Sequence, residues 1–156
     1  MENFRHFSSS FPSTAISLAI LIGTAELTVF GARGLTNPSG FLQGFGLPVL
    51  YKSSTSTRLI EPDASKDESS AEIHPAQRAL VEALAARNIQ NGVLILTFAC
   101  FVRDRRALGV AVTAGLVTTI ADTLVVWRYG TPKAVYGHLV GIGNCLGIGG
   151  SLLLLE

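Results

Sequence analysis

Four long apolar stretches alternate with shorter polar segments along this chain. An α-helix needs about 20 residues to cross the roughly 30 Å hydrocarbon core of a bilayer, and each stretch is close to that length. The pattern therefore predicts four membrane-spanning helices, over residues 14–33, 79–102, 106–128 and 134–155.

The segments between the spans predict how the helices are arranged. Residues 103–106 and 128–133 are short links, and short links place consecutive helices antiparallel. Between the first and second spans, residues 41–50 are apolar but too short to cross, so we expect them to lie at the interface or fold back over the helix ends. Residues 52–76 form a polar, exposed loop. The predicted fold is all-α: a single-domain four-helix transmembrane bundle with up-down topology and one long polar loop.

Composition supports the membrane interpretation. The chain has 156 residues, of which 48% are hydrophobic and only 15% charged, and its mean hydropathy is +0.43. A soluble domain has about 25% charged residues. The net charge of +1 and the lack of a basic patch with aromatic residues exclude nucleic acid as a partner. Cys100 and Cys145 have no metal-ligand spacing and are expected to be small buried hydrophobic residues.

Inside each predicted span lies an ionisable residue that draws attention: Glu26, Arg87, Asp122 and His138. Such a group costs on the order of 2.5–3.5 kcal/mol at the bilayer centre, so these residues are expected to pair or to function. Their positions place all four roughly 7–14 Å below one membrane surface, the surface at which the first helix ends. We call that surface side B, and the opposite surface, where the first helix begins, side A.

These four residues predict an acid–base site. Asp122 or Glu26 would be the general acid and the other the base, with His138 as a proton shuttle. Arg87 would hold a carboxylate or stabilise a developing oxyanion. Neither a metal signature nor a cofactor motif accompanies them, so a cofactor-independent reaction is expected, and hydrolase and nucleotide-dependent classes are disfavoured. The polar neighbours expected to bind substrate are Asn88, Asn91, Thr118 and Asn144.

Two interpretations of the polar residues stay open. In the first, the protein is a membrane-embedded cyclase, isomerase or dehydratase that acts on a hydrophobic small molecule. In the second, the ion pairs only fix the helix register of a carrier or scaffold protein, although desolvation makes such pairs costly. The glycine-rich fourth span likewise has two explanations, namely close packing inside the bundle or a homodimer through this helix.

Several motifs resemble a known family. They are Gly31 to Pro48 (GARGLTNPSGFLQGFGLP), Ala86-Arg87-Asn88, Arg106-Ala107-Leu108-Gly109, Ala121-Asp122-Thr123 and Gly137-His138-Leu139. Together they resemble the small integral membrane proteins of domain-of-unknown-function family 4267, which are similar in outline to the DoxX-like four-helix proteins. The resemblance covers nearly the whole chain except residues 52–76. It implies a fungal membrane protein of secondary-metabolite biosynthesis, although Asn88 stands where family members often carry an acidic residue.

The distribution of basic residues predicts the orientation in the membrane. We expect the first span to be retained as a signal anchor, which favours the endoplasmic reticulum. The link between the second and third spans carries Arg103, Arg105 and Arg106, and the N-terminal tail adds Arg5. The opposite short link carries only Arg128 and Lys133. The positive-inside rule then predicts that both termini face the cytosol and that side B faces the lumen.

Overall fold

A computed structural model describes residues 14–52, 58–59 and 72–154 of the chain. Within these ranges the long helices are α1 (Thr14–Thr36), α3 (Pro75–Val102), α4 (Arg105–Tyr129) and α5 (Pro132–Leu154), and a short helix α2 (Pro38–Phe45) follows α1. The four long helices are each long and apolar enough to cross a membrane. The predicted all-α, four-helix transmembrane bundle with up-down topology is therefore confirmed.

The boundaries differ from the prediction mainly at the start of α3. This helix begins at Pro75, four residues before the predicted position 79, because proline is well suited to the first turn of a helix. The prediction of an exposed loop over residues 52–76 is thus wrong for Pro75 and Ala76, which are helical. The links are also shorter than predicted, since only Arg103 and Asp104 separate α3 from α4.

The outer faces of the long helices are apolar. Phe101 is 83% exposed, Trp127 74% and Val117 73%. Apolar surface of this extent is typical of contact with lipid rather than water, so the protein is an integral membrane protein. Cys100 is exposed on the outer surface as well, so the prediction that both cysteines are buried is wrong for this residue.

The backbones of α1 and α3 are in close contact because glycines lie where the two helices meet. A Cβ atom added to Gly92 of α3 would lie 2.6 Å from the carbonyl oxygen of Gly23 and 2.8 Å from the backbone nitrogen of Leu27. Gly31 of α1 is packed in the same way against Ile89. Small residues at such contacts let membrane helices gain dispersion energy from close packing.

Helices α4 and α5 form the most extensive helix pair of the bundle. Gly149 of α5 packs against Thr113, and a Cβ atom added to Gly141 would lie 3.0 Å from Cγ2 of Thr119. Close packing inside the bundle thus explains part of the glycine pattern in α5. The glycines whose added Cβ atom would meet nothing within 4 Å are Gly137, Gly143, Gly147 and Gly150.

Buried apolar side chains form two clusters, one toward each membrane surface. The side A cluster joins all four long helices and includes Ala19, Ile95, Leu108 and Leu152. The side B cluster joins α2 to the start of α3 and consists of Phe41, Leu42, Ile73 and Val81. Between these two clusters the bundle contains the polar residues of the spans.

Helix α2 and the segment after it fold back over the side B ends of the long helices. This is one of the two arrangements that the sequence predicted for residues 41–50. The side chain of Asn37 caps α2 by accepting a hydrogen bond of 2.9 Å from the backbone nitrogen of Gly40. The helix ends at Gly46, whose φ of +87° lies in the left-handed region that favours glycine. The carbonyl oxygen of Gly46 accepts a hydrogen bond of 3.1 Å from Thr131, in the α4–α5 link.

The two ends of the long polar loop are held together. Strand β1 (Leu50–Tyr51) pairs antiparallel with β2 (Arg58–Leu59), and Tyr51 also pairs with Ile73, just before α3. The Gln77 side chain accepts a hydrogen bond of 2.7 Å from the backbone nitrogen of Leu50. The rest of the predicted loop, residues 53–57 and 60–71, lies outside the described residues.

Candidate functional site

A bidentate ion pair joins α3 to α4 in the polar layer of the bundle. Nη1 of Arg87 donates to Oδ1 of Asp122 at 3.0 Å, and Nη2 donates to Oδ2 at 2.8 Å. The side chains are only 27% and 16% exposed. Paired N–H groups of this geometry match both carboxylate oxygens, which makes this the strongest common form of ion pair. Arg87 is therefore fixed by the carboxylate of Asp122, and its role in the predicted acid–base site stays a prediction.

Asn88 takes part in the same network. Its Oδ1 atom accepts a hydrogen bond of 3.2 Å from Nη2 of Arg87, and the residue is only 5% exposed. A neutral oxygen at this position adds a further partner for the guanidinium without adding charge. The structure thus places Asn88 as a neighbour that orients Arg87, whereas the sequence predicted that it binds substrate.

Glu26 lies on α1 at the point where the helix changes its hydrogen-bonding pattern. It is the first residue of a π-helical segment (Glu26–Ala32) between two α-helical segments. The Glu26 carboxylate lies within electrostatic range of both Arg87 and Asp122. Among the described residues it makes neither a hydrogen bond nor an ion pair. π-Helical turns are rare and occur often at functional sites.

Glu26 lines an internal cavity of about 30 Å³ between α1, α3, α4 and α5. Two of the predicted substrate-binding residues, Asn91 and Thr118, line the same cavity. Its other polar lining residues are Thr119 and Cys145, which the sequence analysis did not select. The available signals were that Thr119 follows Gly115 by one helical turn and that Cys145 shares a stripe with His138.

The hydrogen bonds of the cavity residues determine which polar atoms are available. The hydroxyl groups of Thr118 and Thr119 both donate to the carbonyl oxygen of Gly115, at 2.8 and 2.9 Å. The lone pairs of Thr118 remain as acceptors, whereas Oγ1 of Thr119 also lies 3.9 Å from Sγ of Cys145, which uses part of its acceptor capacity. Asn91 makes no hydrogen bond with the part of the chain that the structure describes, so its amide has both donors and an acceptor available.

Two predicted site residues are brought neither to this cavity nor to the ion pair between Arg87 and Asp122. The ring of His138 lies against the ring of Phe45 in an edge-on arrangement, with 4.7 Å between the ring centroids. The return of α2 over the bundle supplies this apolar partner, which the sequence pattern does not specify. Asn144 is exposed and lines a separate groove toward side A, because it lies on a different face of α5 from the His138 stripe.

Within the described residues, no group of three His, Cys, Asp or Glu side chains is placed to hold a metal ion. The prediction of a cofactor-independent reaction is not tested by this observation. The chemistry available at the cavity is that of one unpaired carboxylate beside a fixed ion pair.

The sequence profile of the family described as Domain of unknown function (DUF4267) matches residues 24–152. The chain belongs to this family. The DUF4267 match includes Glu26 and all of the cavity and ion-pair residues described above. No curated protein matches the chain, and no solved structure does. The similarity to DoxX-like proteins and the fungal source stay predictions.

Proposed function

We propose that this DUF4267 protein is a membrane-embedded acid–base enzyme that isomerises or cyclises a hydrophobic small molecule. The observation that carries the proposal is the position of Glu26, an otherwise unpaired carboxylate that lines an internal cavity within a membrane-spanning helix. Intramembrane ionisable residues mark functional sites by default. A carboxylate that is neither paired nor hydrogen-bonded is also free to accept a proton and return it.

Glu26 would carry the proton transfer alone. Both oxygens of Asp122 are bound by Arg87, so Asp122 is better suited to fixing the guanidinium than to taking up a proton. In an isomerisation, Glu26 would remove a proton from one carbon of the substrate and return it to another, so that no atom is gained or lost. The positive charge of Arg87 would stabilise negative charge that develops on the substrate between these two steps.

The other cavity residues would orient the substrate. The free amide of Asn91 would bind a carbonyl or hydroxyl group, and the lone pairs of Thr118 and Thr119 would accept from a substrate hydroxyl. The apolar part of the substrate would lie against Ile22 and Leu94. The cavity volume of about 30 Å³ corresponds to roughly two water molecules. Substrate entry would therefore require the helices to separate, and we assign this movement to the π-helical segment of α1.

The test is turnover by the purified protein in detergent or nanodiscs, with no other protein present and with candidate lipophilic intermediates as substrates. We expect Glu26→Gln to lower turnover at least ~100-fold, the lower range for loss of a general acid–base group. Glu26→Asp should retain part of the activity because it keeps a carboxylate. Glu82→Gln, at an exposed position of α3, is the matched control. Full turnover by folded Glu26→Gln would overturn the proposal.

A non-catalytic carrier or scaffold is the second candidate. The ion pair between Arg87 and Asp122, with Asn88 beside it, favours this function because it ties α3 to α4 and binds both oxygens of Asp122 within the bundle. Binding of a lipophilic molecule without conversion would support a carrier, and conversion by the isolated protein would exclude a scaffold.

As part of the leading proposal, we assign the enzyme to secondary-metabolite biosynthesis at the endoplasmic reticulum membrane.

A further inference from the structure

A groove of about 440 Å³ lies between α1 and α5 toward side A, away from the Glu26 cavity. One wall is the start of α1, with Thr14, Ala15 and Leu18. The opposite wall is the second half of α5, including Gly143 and Gly147. Since α1 and α4 begin at side A and α5 ends there, the groove begins at the side A membrane surface and extends to Gly143 in the middle of α5.

The groove contains one charged residue among those that line it, Arg105 at the start of α4. Its Nη2 atom donates to the carbonyl oxygen of Ser151 at 2.9 Å, which holds the side chain toward α5. Its Nε atom is buried without a hydrogen-bond partner in the described part of the chain. Arg105 also has no carboxylate partner within the described ranges. A buried donor without a partner, on a cation that lines a groove, calls for an acceptor outside the described residues, such as a bound water or ion.

The wall formed by α5 is shaped for an elongated apolar molecule. A Cβ atom added to Gly143 or Gly147 would have no heavy atom within 4 Å, so the glycines leave open space along one face of the helix. These two residues are one turn apart, and Ile148 and Leu18 provide apolar surface beside them. This open glycine face is the part of the pattern in α5 that packing inside the bundle does not explain.

From this arrangement we propose that the groove binds one anionic phospholipid of the side A leaflet. The phosphate would accept hydrogen bonds from Arg105, and one acyl chain would lie along Gly143 and Gly147. Arg103 and Arg106 are exposed next to Arg105 and extend the positive surface to which an anionic headgroup is attracted. This inference concerns a site separate from the Glu26 cavity and does not depend on the proposed function.

The test is native mass spectrometry of the full-length protein in detergent, with equal amounts of phosphatidylglycerol and phosphatidylcholine that carry identical acyl chains. We expect retention of one phosphatidylglycerol and little phosphatidylcholine. Arg105→Gln should weaken phosphatidylglycerol binding about tenfold, as expected for loss of a charge-assisted hydrogen bond. Arg103→Gln is the matched control, since it removes the same charge from the same link at a residue that does not line the groove. We expect it to cause only the smaller loss that follows from a less positive surface.

A second variant tests the acyl-chain wall without touching the cation. Gly147→Leu should fill the open face, lower phosphatidylglycerol retention and leave the melting temperature of the protein unchanged. Equal retention of the two lipids would overturn the proposal in favour of an apolar groove with no headgroup selectivity. Equal losses in Arg103→Gln and Arg105→Gln would overturn it in favour of diffuse surface charge. It would also be overturned if Gly147→Leu abolished a dimer while leaving lipid retention intact, because a second copy would then occupy the groove.

Discussion

Two carboxylates and one guanidinium share the polar layer between the apolar clusters. Arg87 is bound directly by Asp122, and Glu26 lies within electrostatic range of both. Removing one of the three residues therefore leaves a different set of charged groups in each case. Loss of Asp122 would leave Arg87 with Glu26 as an alternative partner, whereas loss of Arg87 would leave two carboxylates without a cation.

We therefore predict that Arg87→Met destabilises the protein more than Asp122→Asn. Loss of one partner of a largely buried pair typically costs about 3 kcal/mol or more, because it leaves an uncompensated charge. The measurement is the thermal melting temperature in detergent. Arg78→Met is the control, since Arg78 forms an exposed pair with Glu82 at 3.0 Å, a kind of pair that contributes about 0.3–0.5 kcal/mol. A larger loss for Asp122→Asn than for Arg87→Met would contradict this account.

At the residue scale, the sequence predicted which side chains are polar and at what depth, but not which of them pair. Glu26 and Asp122 were expected at similar depths, so either was a partner for Arg87. The choice depends on side-chain geometry across α3 and α4, which helical periodicity does not specify. His138 was expected at the same depth, but its surroundings depend on Phe45, which reaches it only because α2 folds back over the bundle.

At the scale of elements, the α1–α3 contact depends on the absence of side chains. We predict that Gly92→Ala destabilises the protein by about 1–3 kcal/mol, because the new Cβ would meet backbone atoms of Gly23 and Leu27 that cannot move aside. Gly150→Ala is the matched control, since its Cβ would meet nothing within 4 Å. Melting temperatures of the two variants in the same detergent measure the difference, and equal values would show that α1 and α3 separate without cost.

The elements themselves were largely predictable, with two informative exceptions. The length of the apolar stretches located all four spans. The hydropathy pattern alone placed the start of α3 four residues too late, whereas Pro75 is a signal for its actual start. The π-helical segment Glu26–Ala32 has no such signal. The segment packs against α3, where Gly31 contacts Ile89, and a contact between two helices of this kind is not specified by the propensities of the residues in the segment.

For the whole molecule, the orientation in the membrane remains a prediction from charge. We expect both termini to face the cytosol, because Arg103, Arg105 and Arg106 lie in the short link on side A. An N-glycosylation sequon engineered near Ser56, in the long polar loop, should then be modified in microsomes. A sequon appended after Glu156 is the matched control and should stay unmodified. The reverse result would place side B, and with it the Glu26 cavity, toward the cytosol.

The two-residue link between α3 and α4 has a consequence for biogenesis. Arg87 and Asp122 are separated by a helical hairpin with almost no connecting chain, so the pair forms as soon as both helices have left the ribosome. The hairpin then enters the bilayer with these opposite charges already neutralising each other. α1 is synthesised before this hairpin, so Glu26 enters the translocon or the lipid before Arg87 is present to interact with it. Membrane insertion of α1 is therefore the step at which a carboxylic side chain enters the bilayer before its cationic neighbour is present.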